Sequence, residues 1–194
     1  MARPREFDPD AALERAMRVF WAKGYESTSL DDLCHATGLG RSSLYAAFVD
    51  KRELYLRALD RYEEEAASRV AAALARPLPI REAIASFLSR IIDDIADGPG
   101  RRGCFIGNCA AELSRQDRDA GARVRRSLAR VEAVFRDALA RAQARGEIAA
   151  GSDVKALARF LTSGIQGLRL VGKVNPDRAA LDDIAAVMLR CLGA

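Results

Sequence analysis

Apolar residues recur every three to four positions along nearly the whole chain, the period of a helix with one buried face. Leu13, Ala16, Met17 and Phe20 form such a stripe within residues 9–23. Leu54, Tyr55, Ala58, Leu59, Tyr62, Ala66 and Val70 form a longer one within residues 51–74. Val124, Leu128, Val131, Phe135, Ala138, Leu139 and Ala142 form a third within residues 119–145. Helices are also predicted over 80–96, 105–115, 153–172 and 177–192. Helix breakers fall between them: Gly24, Pro77 and Pro79, Asp97-Gly98-Pro99-Gly100, and Gly146 with Gly151. No segment shows the period of two that a half-buried strand needs, and there is no internal repeat. The fold class is all-α, with about nine helices.

The shortest elements carry the most information. Ser29 is placed to cap a helix, with Asp31 and Asp32 in its first turn, where the helix dipole favours negative charge. Leu30, Leu33 and Cys34 give it an apolar face, Gly38 ends it, and Leu39 fills the corner. A second helix runs from Arg41 to Ala47, with Gly40 at its cap position. Leu44 and Phe48 face inward. Arg41, Ser42, Ser43, Tyr45 and Ala46 are then left outward or sideways. Asp50 caps a third helix that begins at Lys51. This spacing is that of a helix-turn-helix, which lays one short helix against the edges of DNA bases. An ordinary helical hairpin has the same local geometry. From these residues alone, a helical interaction module without DNA binding remains open.

Charge narrows the picture. The 194 residues carry a formal net charge of +4, yet residues 1–60 hold nine Arg or Lys against ten Asp or Glu. DNA contacts must therefore form a local patch, for which Arg3, Arg5, Arg41, Lys51 and Arg52 are the candidates. The basic excess lies around Arg101 to Arg145 and reads as solvated surface. With 49% hydrophobic residues the chain has ample material for a core. No apolar run is long enough to span a bilayer and no signal peptide is evident, so a cytoplasmic protein without a membrane partner is expected. The four cysteines are scattered, and the one histidine, His35, lies far from any other candidate ligand, so no metal site and no cofactor are expected. There is no phosphate loop, nucleophile motif or acid–base pair, and the protein is not expected to be an enzyme. A thiol oxidoreductase using Cys104 and Cys109 is the least poor enzymatic alternative, but their spacing is not a redox C-x-x-C.

Several motifs together resemble the TetR family of transcriptional regulators. They are Phe20, Gly24 and Tyr25 at the end of the first helix, the Ser-Thr-Ser start of the second, and the turn at Ala36, Gly38 and Leu39. Leu44-Tyr45, Phe48, and the helix start at Lys51, Glu53 and Leu54 complete the pattern. The direct match covers about residues 8–56. Family members often carry Ser or Thr where Gly40 stands, and His or Tyr before the final Phe. The reading helix here is lined with small side chains, and Arg41 is its only long cation.

The resemblance implies a helix-turn-helix domain over residues 1–50 and a regulatory and dimerisation domain over 51–194, with the helix 51–74 linking them. It implies a repressor that binds double-stranded operator DNA as a homodimer and responds to a small-molecule effector. Its DNA-binding residues would be Thr28, Gly40, Arg41, Ser42, Ser43, Tyr45, Ala46 and Lys51. Its dimer would pair the last two helices through Leu161, Gly164, Ile165, Leu168, Leu181, Ile184 and Met188. Two identical reading helices about one DNA turn apart suit a palindromic operator. The segment 103–117, GCFIGNCAAELSRQD, also resembles a Gly-Cys-x-x-x-Asn element of one branch of the family, some members of which sense electrophiles or oxidants through the cysteine. On that reading Cys104 is a sensor thiol at the start of a helix. Lys173 is its partner and Cys109 a resolving thiol. The alternatives are a buried structural cysteine and a reversible ligand in an apolar cavity of the second domain.

Overall fold

The computed structural model describes residues 7–193. Among them are nine α-helices: α1 Pro9–Lys23, α2 Leu30–Thr37, α3 Arg41–Phe48, α4 Lys51–Leu74, α5 Ile80–Ala96, α6 Phe105–Glu112, α7 Arg118–Ala144, α8 Val154–Val174 and α9 Arg178–Arg190. A 3-10 turn, Pro99–Arg102, joins α5 to α6 where the sequence indicated only a break. The helix expected to run to residue 115 stops at Glu112, because Asp117 starts a new one: its side chain accepts the N–H groups of Asp119 and Ala120.

Each early boundary has a hydrogen-bonding cause. Asp8 caps α1 by accepting from Asp10, Pro9 fills the first position, and Gly24 ends the helix at φ 83°. Ser29 and Asp32 form a reciprocal capping box on α2. Gly38 then takes the left-handed conformation (φ 73°) that reverses the chain within two residues.

Packing forms two apolar clusters. The first joins α1–α3 to the N-terminal half of α4, and continues through Phe105, Ile106 and Cys109 of α6 to Ala120 and Val124 of α7. The second lies between the far end of α4, α5, the C-terminal half of α7, α8 and α9. Helices α4 and α7 therefore belong to both. They are also stitched by charge: Asp60 and the buried Glu63 of α4 meet Arg123 and Arg126 of α7. A chain of edge-to-face rings connects α1 to α6 through α4. Phe20 and Tyr25 pack on Tyr55, which packs on Phe105 at 5.4 Å; Phe105 meets Tyr62, and Tyr62 meets Trp21. Helices α6 and α1 are thus joined through α4 by one continuous set of ring contacts.

Candidate nucleic-acid interface and effector region

Helix α3 stands on Leu44 and Phe48, both buried, and α4 holds it down from behind. The Arg57 guanidinium lies 4.9 Å over the Phe48 ring. With those two positions inward, Arg41, Ser42, Ser43, Tyr45 and Ala46 are all exposed, as the spacing predicted. Gly40 has no side-chain cap and nothing within 4 Å of where a Cβ would stand, so the N-terminus of α3 is open. Arg41 donates to Asp31 at 2.8 Å, with both side chains mostly in solvent. Such a surface pair is worth at most about 1 kcal/mol, so Arg41 is readily released to another acceptor. Lys51 sits at the start of α4, its ammonium 4.4 Å above the Tyr25 ring. Arg52, also a candidate for phosphate contact, is instead engaged by Asp117 and Asp119 of α7. Arg3 and Arg5 lie outside the described residues.

Thr28 corrects the sequence reading. Its side chain is 1% exposed and its hydroxyl donates to the Gly24 carbonyl at 2.5 Å. It ties the turn between α1 and α2 together and does not present a hydroxyl to a phosphate. Beside it, Lys23 bonds Asp32 at 2.6 Å. With the Ser29 hydrogen bonds, that contact holds the Asp32 carboxyl down to about 2.

The reading helix ends in strained backbone. Val49, a β-branched residue, takes φ 64° and ψ −63°, and Asp50 N–H bonds the Phe48 carbonyl at 2.7 Å across it. This is the rare form of the γ-turn, with a cost of about 1–3 kcal/mol.

The second region surrounds Cys104, the N-cap of α6. The Tyr62 hydroxyl donates to its Sγ at 3.6 Å. Lys173 of α8 reaches the same end of α6, where its Nζ donates to Asn108 Oδ1 at 3.3 Å and its Cδ lies over Gly103. Asn108 in turn donates to the Arg102 carbonyl. Cys109 does not fit a resolving thiol: it is wholly buried, and burial pushes its thiol pKa up, away from the thiolate that exchange requires. Sequence reasoning missed the ties between α6 and α1. The Trp21 indole N–H donates to the Gly103 carbonyl at 3.1 Å. At the other end of α6, the Glu112 carboxylate accepts the N–H groups of Tyr25 and Glu26 at 3.1 and 2.9 Å. A Cβ at Gly24 would stand 3.0 Å from that carboxylate, and its φ is already positive. An acid at a helix end carries no sequence signal that it will cross between elements 87 residues apart.

The stripe expected from the sequence to form the dimer packs largely inside the chain. Leu161, Ile165, Leu168, Leu181 and Met188 are all buried within the chain, and Gly164 lies against the Met188 side chain of α9. Ile184 is half-buried against the same core. The outer face of these helices bears Phe160, Leu170, Val171, Val174 and Val187, of which Leu170 is 65% and Val174 82% exposed. Among the described residues no helix is long and apolar enough to cross a membrane.

Comparison with known proteins agrees with this geometry. Residues 12–58 match the model for bacterial regulatory proteins of the tetR family, and residues 80–188 match a tetracyclin repressor-like C-terminal domain. The chain is 36% identical to the HTH-type transcriptional repressor ComR of Escherichia coli, over 97% of this chain and 90% of ComR. It is 34% identical to the HTH-type transcriptional regulator YezE of Bacillus subtilis, over 99% and 100%. It superposes on a cysteine mutant of the regulator CifR, solved with 26-base-pair operator DNA, with TM-score 0.83 and 32% identity, covering 97% and 98% of the two chains.

Proposed function

Because the chain belongs to the TetR family of transcriptional regulators, we propose that it is a repressor that binds a palindromic operator as a homodimer and leaves it when an effector reaches the region around Cys104. One observation carries the DNA half of this reading. The whole outward face of α3 is free of the protein's own core, with Arg41 the one long cation on it and bonded only to an exposed carboxylate. Arg41 takes a guanine edge bidentately, Ser42 and Ser43 serve either base, and Ala46 offers an apolar contact to a thymine methyl. Tyr45, Lys51 and the open N-terminus at Gly40 hold phosphates. The comparison with CifR, a relative solved on operator DNA, supports the same use of this domain.

The homodimer forms through the outer face of α8 and α9, where Phe160, Leu170, Val174 and Val187 leave an apolar strip exposed. The effector acts on α6. Its first turn meets Cys104, Tyr62 and Lys173, and its last residue, Glu112, holds the turn that leads into the helix-turn-helix. Displacing α6 pulls on that turn and on the aromatic chain, and so changes the separation of the two reading helices. The effector releases DNA by no more than its differential affinity for the two arrangements.

The test is operator retention on the protein's own upstream DNA, with and without N-ethylmaleimide. Wild type is expected to release DNA on alkylation, while Cys104→Ser retains it. If Cys104→Ser is released equally, the thiol has no part in the response. If neither protein prefers that DNA to random sequence, the operator reading fails for that site.

A further inference from the structure

A cavity of about 240 Å³ opens between α4, α5, α7 and α8, with Cys104 on its lining. Its interior is apolar, built from Val70, Phe87, Ile91, Val131 and Ile165. Its rim is cationic. Arg69 comes from α4, Arg76 from the turn just after it, Arg90 from α5 and Arg169 from α8, while Asp94 is the one acid on it. Three helices and one turn thus deliver four guanidiniums to one opening. Their existing partners are weak. Arg76 bonds the Ser86 hydroxyl, Arg69 reaches Glu65 only at 3.5 Å, and Arg90 and Arg169 have no ion pair among the described residues. Toward α6 the Gln166 Oε1, which lies against Gly107, is buried with no hydrogen-bond partner. The Tyr62 ring and Cys104 complete that end.

An ordinary solvated arginine surface needs neither the concave apolar floor nor the unpartnered amide. The combination suits one chemistry: an apolar body filling the floor, an anionic head held by guanidiniums in their bidentate geometry, and room for a donor or water at Gln166. We propose that this cavity binds a small amphipathic organic acid, its carboxylate held at the rim by Arg90 and Arg169 and its apolar part against Phe87 and Ile165. The inference rests on the ligand-released regulator reading and gives that ligand a charge and a shape. An occupant lies against Cys104 at the N-cap of α6, the helix whose far end holds the reading domain.

The chain has a single tryptophan, and Trp21 lines the neighbouring cleft together with Arg69 and Arg169. The experiment is titration of the full-length protein with octanoate, octan-1-ol and octylamine, read by calorimetry and by Trp21 emission at two salt concentrations. Octanoate is expected to bind saturably, one per protomer, at least tenfold tighter than the alcohol, and more weakly at high salt. Arg169→Gln and Arg90→Gln should each lose most of that preference, and Arg169→Lys should keep part of it. Unchanged melting of the variants shows that they fold. Equal binding of acid and alcohol, tighter binding of the amine, or no saturable heat with any of the three overturns the proposal. Retention of upstream DNA by the unliganded protein is measured alongside. DNA binding without octanoate binding sinks the ligand class alone, and absence of DNA binding by the unliganded protein sinks the operator reading for that site.

Discussion

At the residue scale, the account turns on side chains whose neighbours release them or restrain them. Arg41 is released: its partner Asp31 is exposed, so the pair contributes little to folding. Arg41→Ala should therefore lower the melting temperature by no more than about 2–4 °C, since at most about 1 kcal/mol is at stake there. The same change should weaken operator binding tenfold or more, consistent with about 1–3 kcal/mol for a bidentate base contact. Asp117 is restrained. The Arg52 guanidinium bonded to it holds its carboxyl down to about 2, against burial, which acts the other way. A depressed carboxylate stabilises the fold above its unfolded pKa of about 3.9 and loses that contribution as pH falls toward 2. Denaturant unfolding between pH 6 and pH 2 should accordingly show a steeper acid loss for wild type than for Asp117→Asn. The difference should be on the order of 1 kcal/mol because Arg52 is half in solvent. Val49 is the opposite case, a residue against its own preference. Val49→Gly relieves the γ-turn strain and should raise stability by about 1 kcal/mol, read as a higher midpoint in urea.

At the element scale, the boundaries of α1 to α4 were legible because each is written in local chemistry: Asp8 and Pro9, the Ser29–Asp32 box, Gly38, Asp50. So was the inward pair Leu44 and Phe48. What the sequence did not disclose were relations between elements. Thr28 has a plausible cap-adjacent position, yet it turns inward because the Gly24 carbonyl is the acceptor within reach. Glu112 reads as an ordinary helix-end acid, yet it satisfies two backbone donors of the α1–α2 turn. Removing it leaves both N–H groups without their acceptor, so Glu112→Ala should destabilise the protein by about 1–3 kcal/mol. It should also blunt the effector response more than a surface change of equal stability cost. Comparison with a destabilised control that leaves α6 intact separates the two effects.

At the scale of the whole molecule, α8 has two apolar faces and periodicity cannot rank them. The more regular stripe, Leu161, Ile165 and Leu168, serves the chain's own core; the less regular one, Phe160, Leu170 and Val174, is exposed and is the face proposed for a second copy. Leu170→Glu with Val174→Glu should yield a folded monomer by light scattering, with operator affinity greatly reduced. Leu168→Glu should fail to fold, because it buries an unpaired carboxylate. Pairing two copies is what turns one short, Arg-poor reading helix into a specific binder, since each half-site alone offers few base-edge contacts. The most direct measurement is therefore a hydroxyl-radical footprint of wild type and Arg41→Ala on the upstream DNA at two salt concentrations. The account predicts two protected half-sites about one DNA turn apart, protection that falls steeply with salt, and its loss in Arg41→Ala. Uniform protection without half-sites, or a footprint untouched by Arg41→Ala, would contradict it.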